Sequence, residues 1–260
     1  MHKAKSAIRV SAVTILIGLV TFGATQITRQ TMSSLQEPTP VREEVITEKQ
    51  KAHSKLFKEG SGKKLSALAA NTRATDIAVE IDLPPSPLQY GNPNSLPATT
   101  YPHGFLRGIA CDADAVVVGT LKDKASQLTE AGDAVFTDFT MTVEEVVKDN
   151  SAASISPNSS INVTRLGGAV SLNGKNIRVK VSSFKPFEIG SRYVLFLRYI
   201  PATGAYKAFS NGSFQLDGNK VVRLTNRALW DSLASENDVS AFTSEVRAAT
   251  TNPCGDAKLF

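Results

Sequence analysis

The side chains that could do chemistry in this 260-residue chain are few and widely spaced. It has two cysteines, Cys111 and Cys254, and no C-x-x-C pair. A structural metal site wants about four ligands, so neither a metal centre nor a redox pair is expected. In an oxidising compartment, two distant cysteines instead read as a Cys111–Cys254 disulfide, tying the last segment of the domain to its first strand. There are three histidines, His2, His53 and His103. They fall in an N-terminal leader, a charged segment and a proline-rich segment. That is poor material for a Ser-His-Asp or Cys-His arrangement. His103 becomes a base only if its segment folds back.

The carboxylates are weighed in the same way. Asp112 and Asp114 alternate at what reads as the start of a strand, and Glu144-Glu145 sit where a strand pattern slips. A carboxylate pair about 5–9 Å apart could run glycoside hydrolysis. Neighbouring acids at strand ends are more commonly solvated caps. Gly167-Gly168 lacks the lysine and helix of a phosphate-binding loop and reads as a turn. Asn162-Val163-Thr164 and Asn211-Gly212-Ser213 match glycosylation acceptors, which matter only in a eukaryotic host. No catalytic residue, metal ligand or cofactor-binding residue emerges, and no cofactor is expected.

The compartment is set by the N-terminus. Lys3, Lys5 and Arg9 form a positive leader, and residues 10–28 (VSAVTILIGLVTFGATQIT) carry no charge. Nineteen uncharged residues are about the minimum that crosses 30 Å of hydrocarbon. The positive flank stays in the cytoplasm, so the rest of the chain is expected outside. The cleavage candidates, Thr21-Phe22-Gly23 and Phe22-Gly23-Ala24, fit the small-x-small rule poorly. The expectation is an uncleaved, single-pass anchor with a periplasmic or extracellular C-terminal part; secretion after signal cleavage is the alternative. The leader holds three of the net charge of +5, so the remainder of the chain is close to neutral. No concentrated basic face is present, and nucleic acid is not an expected partner.

Residues 29–103 read as a polar, partly helical stalk and a proline-rich linker. Glu43–Glu59 has helical composition with little apolar stripe, which predicts a solvated helix. Residues 82–103 hold Pro84-Pro85-Ser86-Pro87 among Asn and Ser, a spacer more than a polyproline docking motif. Residues 104–224 turn strand-like. Ala115–Leu121 is a buried strand interrupted by Gly119. Val135, Phe139, Met141 and Val143 share one face, opposite Asp138, Thr140 and Thr142. Asn173-Gly174 and Asp217-Gly218 are hairpin turns, and Tyr193–Ile200 is apolar on both faces, as in a central strand. Residues 225–260 switch to helical period: Leu229, Trp230 and Leu233, then Val239, Phe242 and Val246 after a Ser235/Asp238 cap. These helices are expected on the outer face of the strand carrying Val194 and Phe196. The fold class is mainly β: a small Greek-key barrel with C-terminal helices, preceded by an N-terminal membrane helix and the partly helical, Pro-rich linker.

The block CDADAVVVGTLKDKASQLTEAGDAVFTDFTMTVEEVVKDN (111–150), with RLGGAVSLNG (165–174) and FEIGSRYVLFLRYIPATGAYKAF (187–209), resembles a group of uncharacterised exported bacterial proteins. Their β-barrel domain is of the oligonucleotide/oligosaccharide-binding (OB) or netrin-like type. The likeness covers residues 104–222 and rests on core and turn positions, so it implies a fold and a possible binding face but no catalytic residues. The leading expectation is a non-catalytic binding or scaffolding module, with another envelope protein as the partner. Two alternatives remain: a peptidase inhibitor, as some netrin-like barrels are, and a hydrolase without a recognisable motif. The inhibitor alternative needs an N-terminal cysteine, and Cys111 is internal.

Overall fold

Strand Ala115–Leu128 sets the architecture, because both of its faces are buried. Ala115, Val117 and Leu121 point into one apolar cluster, Val116 and Val118 into another. The computed structural model describes residues 39–40, 48–57, 64–82, 101–182, 184–225 and 238–253. All belong to one unit, Gln36–Phe260; Met1–Leu35, with the expected anchor at 10–28, falls outside it and outside the described residues. No described helix is long and apolar enough to cross a membrane.

In chain order the elements are β1 (Thr39–Pro40), α1 (Glu48–Ser54), α2 (Leu65–Asn71), β2 (Asp76–Ile81), α3 (Tyr101–Asp112), β3 (Ala115–Leu128), β4 (Val135–Lys148), β5 (Ser160–Leu166), β6 (Gly168–Leu172), β7 (Lys175–Val181), β8 (Arg192–Ile200), β9 (Ala205–Asp217), β10 (Lys220–Arg223) and α4 (Val239–Thr251). The chain is mainly β with a C-terminal helix, as the periodicity implies. One sheet runs β10-β9-β5-β4-β3-β8, and β9 also pairs with β8. Five strands, β3, β4, β5, β9 and β8, therefore pair in a closed circuit. Its joint between β5 and β9 is parallel, through Val163 opposite Tyr206 and Thr164 opposite Lys207. The second sheet runs β1-β6-β7-β2, with β2 parallel to β7.

The turn chemistry explains the hairpins. Asn173 and Gly174 both hold positive φ (51° and 72°), as the two-residue β6–β7 turn demands. Gly218 (φ 57°) turns β9 into β10. The slip at Glu144-Glu145 is a bulge: Val143 pairs with Gly119 and Glu145 with Val118, leaving Glu144 extra. Gly119 faces this bulge so closely that a Cβ there would strike the Thr142 carbonyl oxygen.

The outer face of β3 and β8 is covered by α3 and α4, where Phe105, Leu106 and Ile109 meet Val194, Phe196, Phe242 and Val246. Asp238 caps α4, its carboxylate accepting from Ser240 N and Ala241 N at 2.8 and 3.1 Å. The expected helix around Leu229, Trp230 and Leu233, and Ser235, lie outside the described residues. Lysines from strands cap two helix C-termini that have no basic residue of their own. Lys148 Nζ donates to Ala110 O and Ala113 O, and Lys175 Nζ to Ala69 O and Thr72 O.

Two readings change. The start of the 104–224 block is helical: Cys111 and Asp112 sit on α3, not on a first strand. The stalk is partly helical as read, but its helices α1 and α2 are docked and not solvated, and with strands β1 and β2 it buries Phe57, Leu65, Ala69 and Ile81. The alternation DIAVEI of β2 is what a half-buried strand requires, and only its partner β7, about a hundred residues away, reveals it. Most of the proline-rich segment, 83–100, is outside the described residues.

Replacing Gly119 by Ala should overpack the bulge and cost about 2 kcal/mol. Thermal melts of the Gly119→Ala protein should then fall several degrees below wild type; an unchanged melting temperature would show that the strands part freely here.

Candidate functional site

Helix α1, EKQKAHS, has neither Gly nor Pro, and Glu48 pairs with Lys51 at 2.8 Å one turn on. Seven residues are too few to hold a helix in water without help. The help comes from docking onto β4 and the two turns beside it. Phe57 stacks on Phe136 with centroids 5.8 Å apart. Lys207 Nζ lies 4.9 Å from the Phe57 ring centroid and donates to Leu56 O at 3.0 Å. Ser54 Oγ accepts from Glu130 N, at the β3–β4 turn, at 2.8 Å.

At the centre of this contact is a linear polar array. His53 is 0% exposed. Its Nδ1 lies 3.0 Å from Asp138 Oδ1 on β4, and its Nε2 lies 2.8 Å from Thr203 Oγ1 in the β8–β9 turn. Lys49 Nζ stands 3.6 Å from the other carboxylate oxygen of Asp138. An ionised Asp138 only accepts, so Nδ1 donates to it, and in the neutral tautomer Nε2 accepts the Thr203 hydroxyl proton. Burial pushes the Asp138 carboxyl up. The hydrogen bond from His53, with the charges of His53 and Lys49, outweighs that and holds it below the usual aspartate range.

Hydroxyl, imidazole and carboxylate stand here in the order of nucleophile, base and orienting acid. The surroundings are less suited to catalysis. The N–H groups of Thr203 and Gly204 both donate to Ile200 O, at 3.1 and 3.0 Å, which commits the donors nearest the hydroxyl. As a structural device, by contrast, the array satisfies both ring nitrogens of a fully buried histidine.

The residues singled out from sequence are scattered. Asp112 ends α3, and Asp114 lies beyond it with Oδ2 accepting from Tyr199 N at 2.7 Å; they do not share a strand face. Glu144 is gripped by Thr120 Oγ1 and Arg192 Nε, each at 2.6 Å. Glu145 accepts two bonds from Arg247 of α4, at 2.7 and 2.8 Å. Burial pushes Glu144 up but Thr120 and Arg192 overcome it; Arg247 pulls Glu145 down against a smaller effect of burial. Both are held ionised by separate partners, so they lack the divergent environments of an acid/base pair. Gly167 and Gly168 take positive φ (99° and 143°) between β5 and β6. Tyr206 is buried, its hydroxyl donating to Ala153 O at 3.1 Å. Phe209 packs partly buried against the α3–α4 cluster. His103 lies on α3, its side chain outside the described residues. No group of three or more potential metal ligands occurs among the described residues.

Cys254 lies outside the described residues, so the proposed bridge is not seen. Among the described residues no cysteine is free. The alternation of β4 predicts a solvent face for Asp138; the alternation is right, but α1 covers that face. The local hint was the four-residue spacing of His53 and Phe57, which puts imidazole and ring on one side of a turn. No known protein family matches the chain, and neither does any curated protein.

Removing the imidazole strands a buried carboxylate. His53→Ala should cost about 3 kcal/mol near neutral pH. Asp138 adds a pH signature. A carboxyl depressed on folding contributes stability that is complete above the ordinary aspartate value of about 4 and disappears as pH falls through the folded value. The melting-temperature gap between wild type and Asp138→Asn should therefore close between pH 5 and pH 2; a constant gap would place the stabilisation elsewhere.

Proposed function

We propose that this chain is an extracytoplasmic, membrane-anchored binding or scaffolding module built on an OB/netrin-like barrel. The observation that carries it is the closed circuit β3-β4-β5-β9-β8 with its parallel joint, the pairing expected of a five-stranded Greek-key barrel. Barrels of this type bind on one strand face and its flanking turns, here β4–β5 with the β3–β4 and β8–β9 turns. The ionised, cross-bridged Glu144 and Glu145 favour binding over acid/base chemistry. Residues 10–28 supply the anchor and direct the module outside, where another envelope protein is the expected partner.

Export also supports the Cys111–Cys254 disulfide. Arg107 Nη2, one helical turn before Cys111, donates to Asn252 O at 3.2 Å, which brings the backbone two residues before Cys254 onto α3. Closing so long a loop is worth about 4–5 kcal/mol in the chain-entropy model. The unreduced protein should resist thiol alkylation and shift on a gel only after reduction; complete labelling without reductant would abolish the bridge.

A second reading, a hydrolase, is favoured by one observation: Thr203, His53 and Asp138 stand in nucleophile–base–acid order. One experiment separates the two. The full chain, cross-linked in intact membranes and exposed to a fluorophosphonate probe, should be recovered with an envelope protein and carry no probe. Labelling that disappears in Thr203→Ala, without a captured partner, would reverse the order.

A further inference from the structure

We propose that the β4 face between the β3–β4 and β8–β9 turns is a receptor for a short basic helix bearing an aromatic ring, filled in cis by the chain's own residues 48–57. The inference rests on the binding-module reading and names its site and the chemistry of its partner.

The contact is made like a docking surface. Its apolar part is small, the stack of Phe57 on Phe136 at the edge of the core cluster with Leu56 packed beside it. Its centre is polar, the Asp138 carboxylate and Thr203 hydroxyl receiving one imidazole. Charge is complementary: Lys49 faces Asp138 at 3.6 Å, and Glu130 attracts Lys51. An apolar core cannot be uncovered cheaply, but a carboxylate and hydroxyl uncovered by a departing helix are taken up by water. Seven residues hold no helix alone, so α1 gains its order by docking, as a coupled folding-and-binding segment does.

The segment C-terminal to α1 allows the exchange. β2 stays fixed to β7 through six paired residues from Asp76 to Ile81, and Leu65 N donates to Gly132 O at 2.7 Å. Displacing α1 therefore leaves the β2–β7 pairing in place. The matching partner is a helix with an imidazole or amine one turn before an aromatic ring, the spacing of His53 and Phe57.

The test uses the full chain in detergent with His53→Ala and Phe57→Ala, which empties the receptor. A fluorescent peptide of residues 44–59 should bind this protein at least tenfold more tightly than wild type, whose site is occupied in cis. The gain should vanish when Asp138→Asn is added or when the peptide carries His53→Ala. Should the double variant lose its cooperative melt, Phe57→Ala alone, which loosens the cis helix but keeps the buried pair, should bind the peptide with a smaller gain over wild type in the same direction. A folded variant that binds the peptide no better than wild type overturns the receptor. If it still captures an envelope partner, only this site falls; peptide binding without any captured partner instead removes the envelope-partner reading.

Discussion

A strand that is apolar on both faces has to be covered twice, and β3 and β8 impose that requirement on everything around them. Their inner side chains are closed over by the other strands of the circuit, with Phe139, Met141 and Phe187 filling the interior. Their outer side chains, Val116, Val118, Val194 and Phe196, need a second layer. That layer is α3 and α4, one preceding the strands in sequence and one coming after them all. Fully burying each large side chain is worth about 1.5–3 kcal/mol, so a bare outer face would be both destabilising and adhesive. The N- and C-terminal flanks are thereby bound to the sheet from the same side.

The segment before α3 does a related job on a different surface. Its β2 extends the small sheet formed by the β6–β7 hairpin, and its α1 seats one histidine and one phenylalanine on β4. The strands contribute the fixed partners, and the segment contributes elements too short to stand alone. Lys148 and Lys175 reinforce the arrangement, since each lets a strand answer the exposed carbonyls of a helix end. Electrostatics here serves attachment between elements: Glu145 with Arg247, Glu144 with Arg192, Asp138 with His53.

Features encoded within a few residues were legible in the sequence. Asn173-Gly174 and Asp217-Gly218 announce their turns because few residues other than Asn and Gly accept the positive φ that Asn173, Gly174 and Gly218 hold. Tyr193–Ile200 betrays a doubly buried strand by having no polar face. The phase slip at Glu144 is the bulge, and the Asp238 cap marks the start of α4. Features that depend on a remote partner were not legible. β2 is six alternating residues whose meaning comes from β7. Helix α3 begins at a Tyr-Pro dipeptide inside a stretch whose prolines suggested a linker, and its apolar side matches a strand face invisible from local pattern. The buried array was hidden for the same reason. His53, Asp138 and Thr203 are separated by 85 and 150 positions along the chain from His53 to each partner. No spacing rule reaches across such intervals.

The parallel pairing of β2 with β7 has a consequence for the order of assembly. Asp76 and Asn176 stand side by side though 100 residues separate them. A chain that emerges N-terminus first presents β2 long before β7 exists to receive it. Until then β2 is an unpaired edge, and α1 and α2 lack the partners they take from Thr203, Lys207 and Lys175. Non-local strand pairing of this kind is slow, because the loop must close before any contact rewards it. The segment nearest the N-terminus is thus among the last to settle, and its docking reports that the domain beyond it is complete.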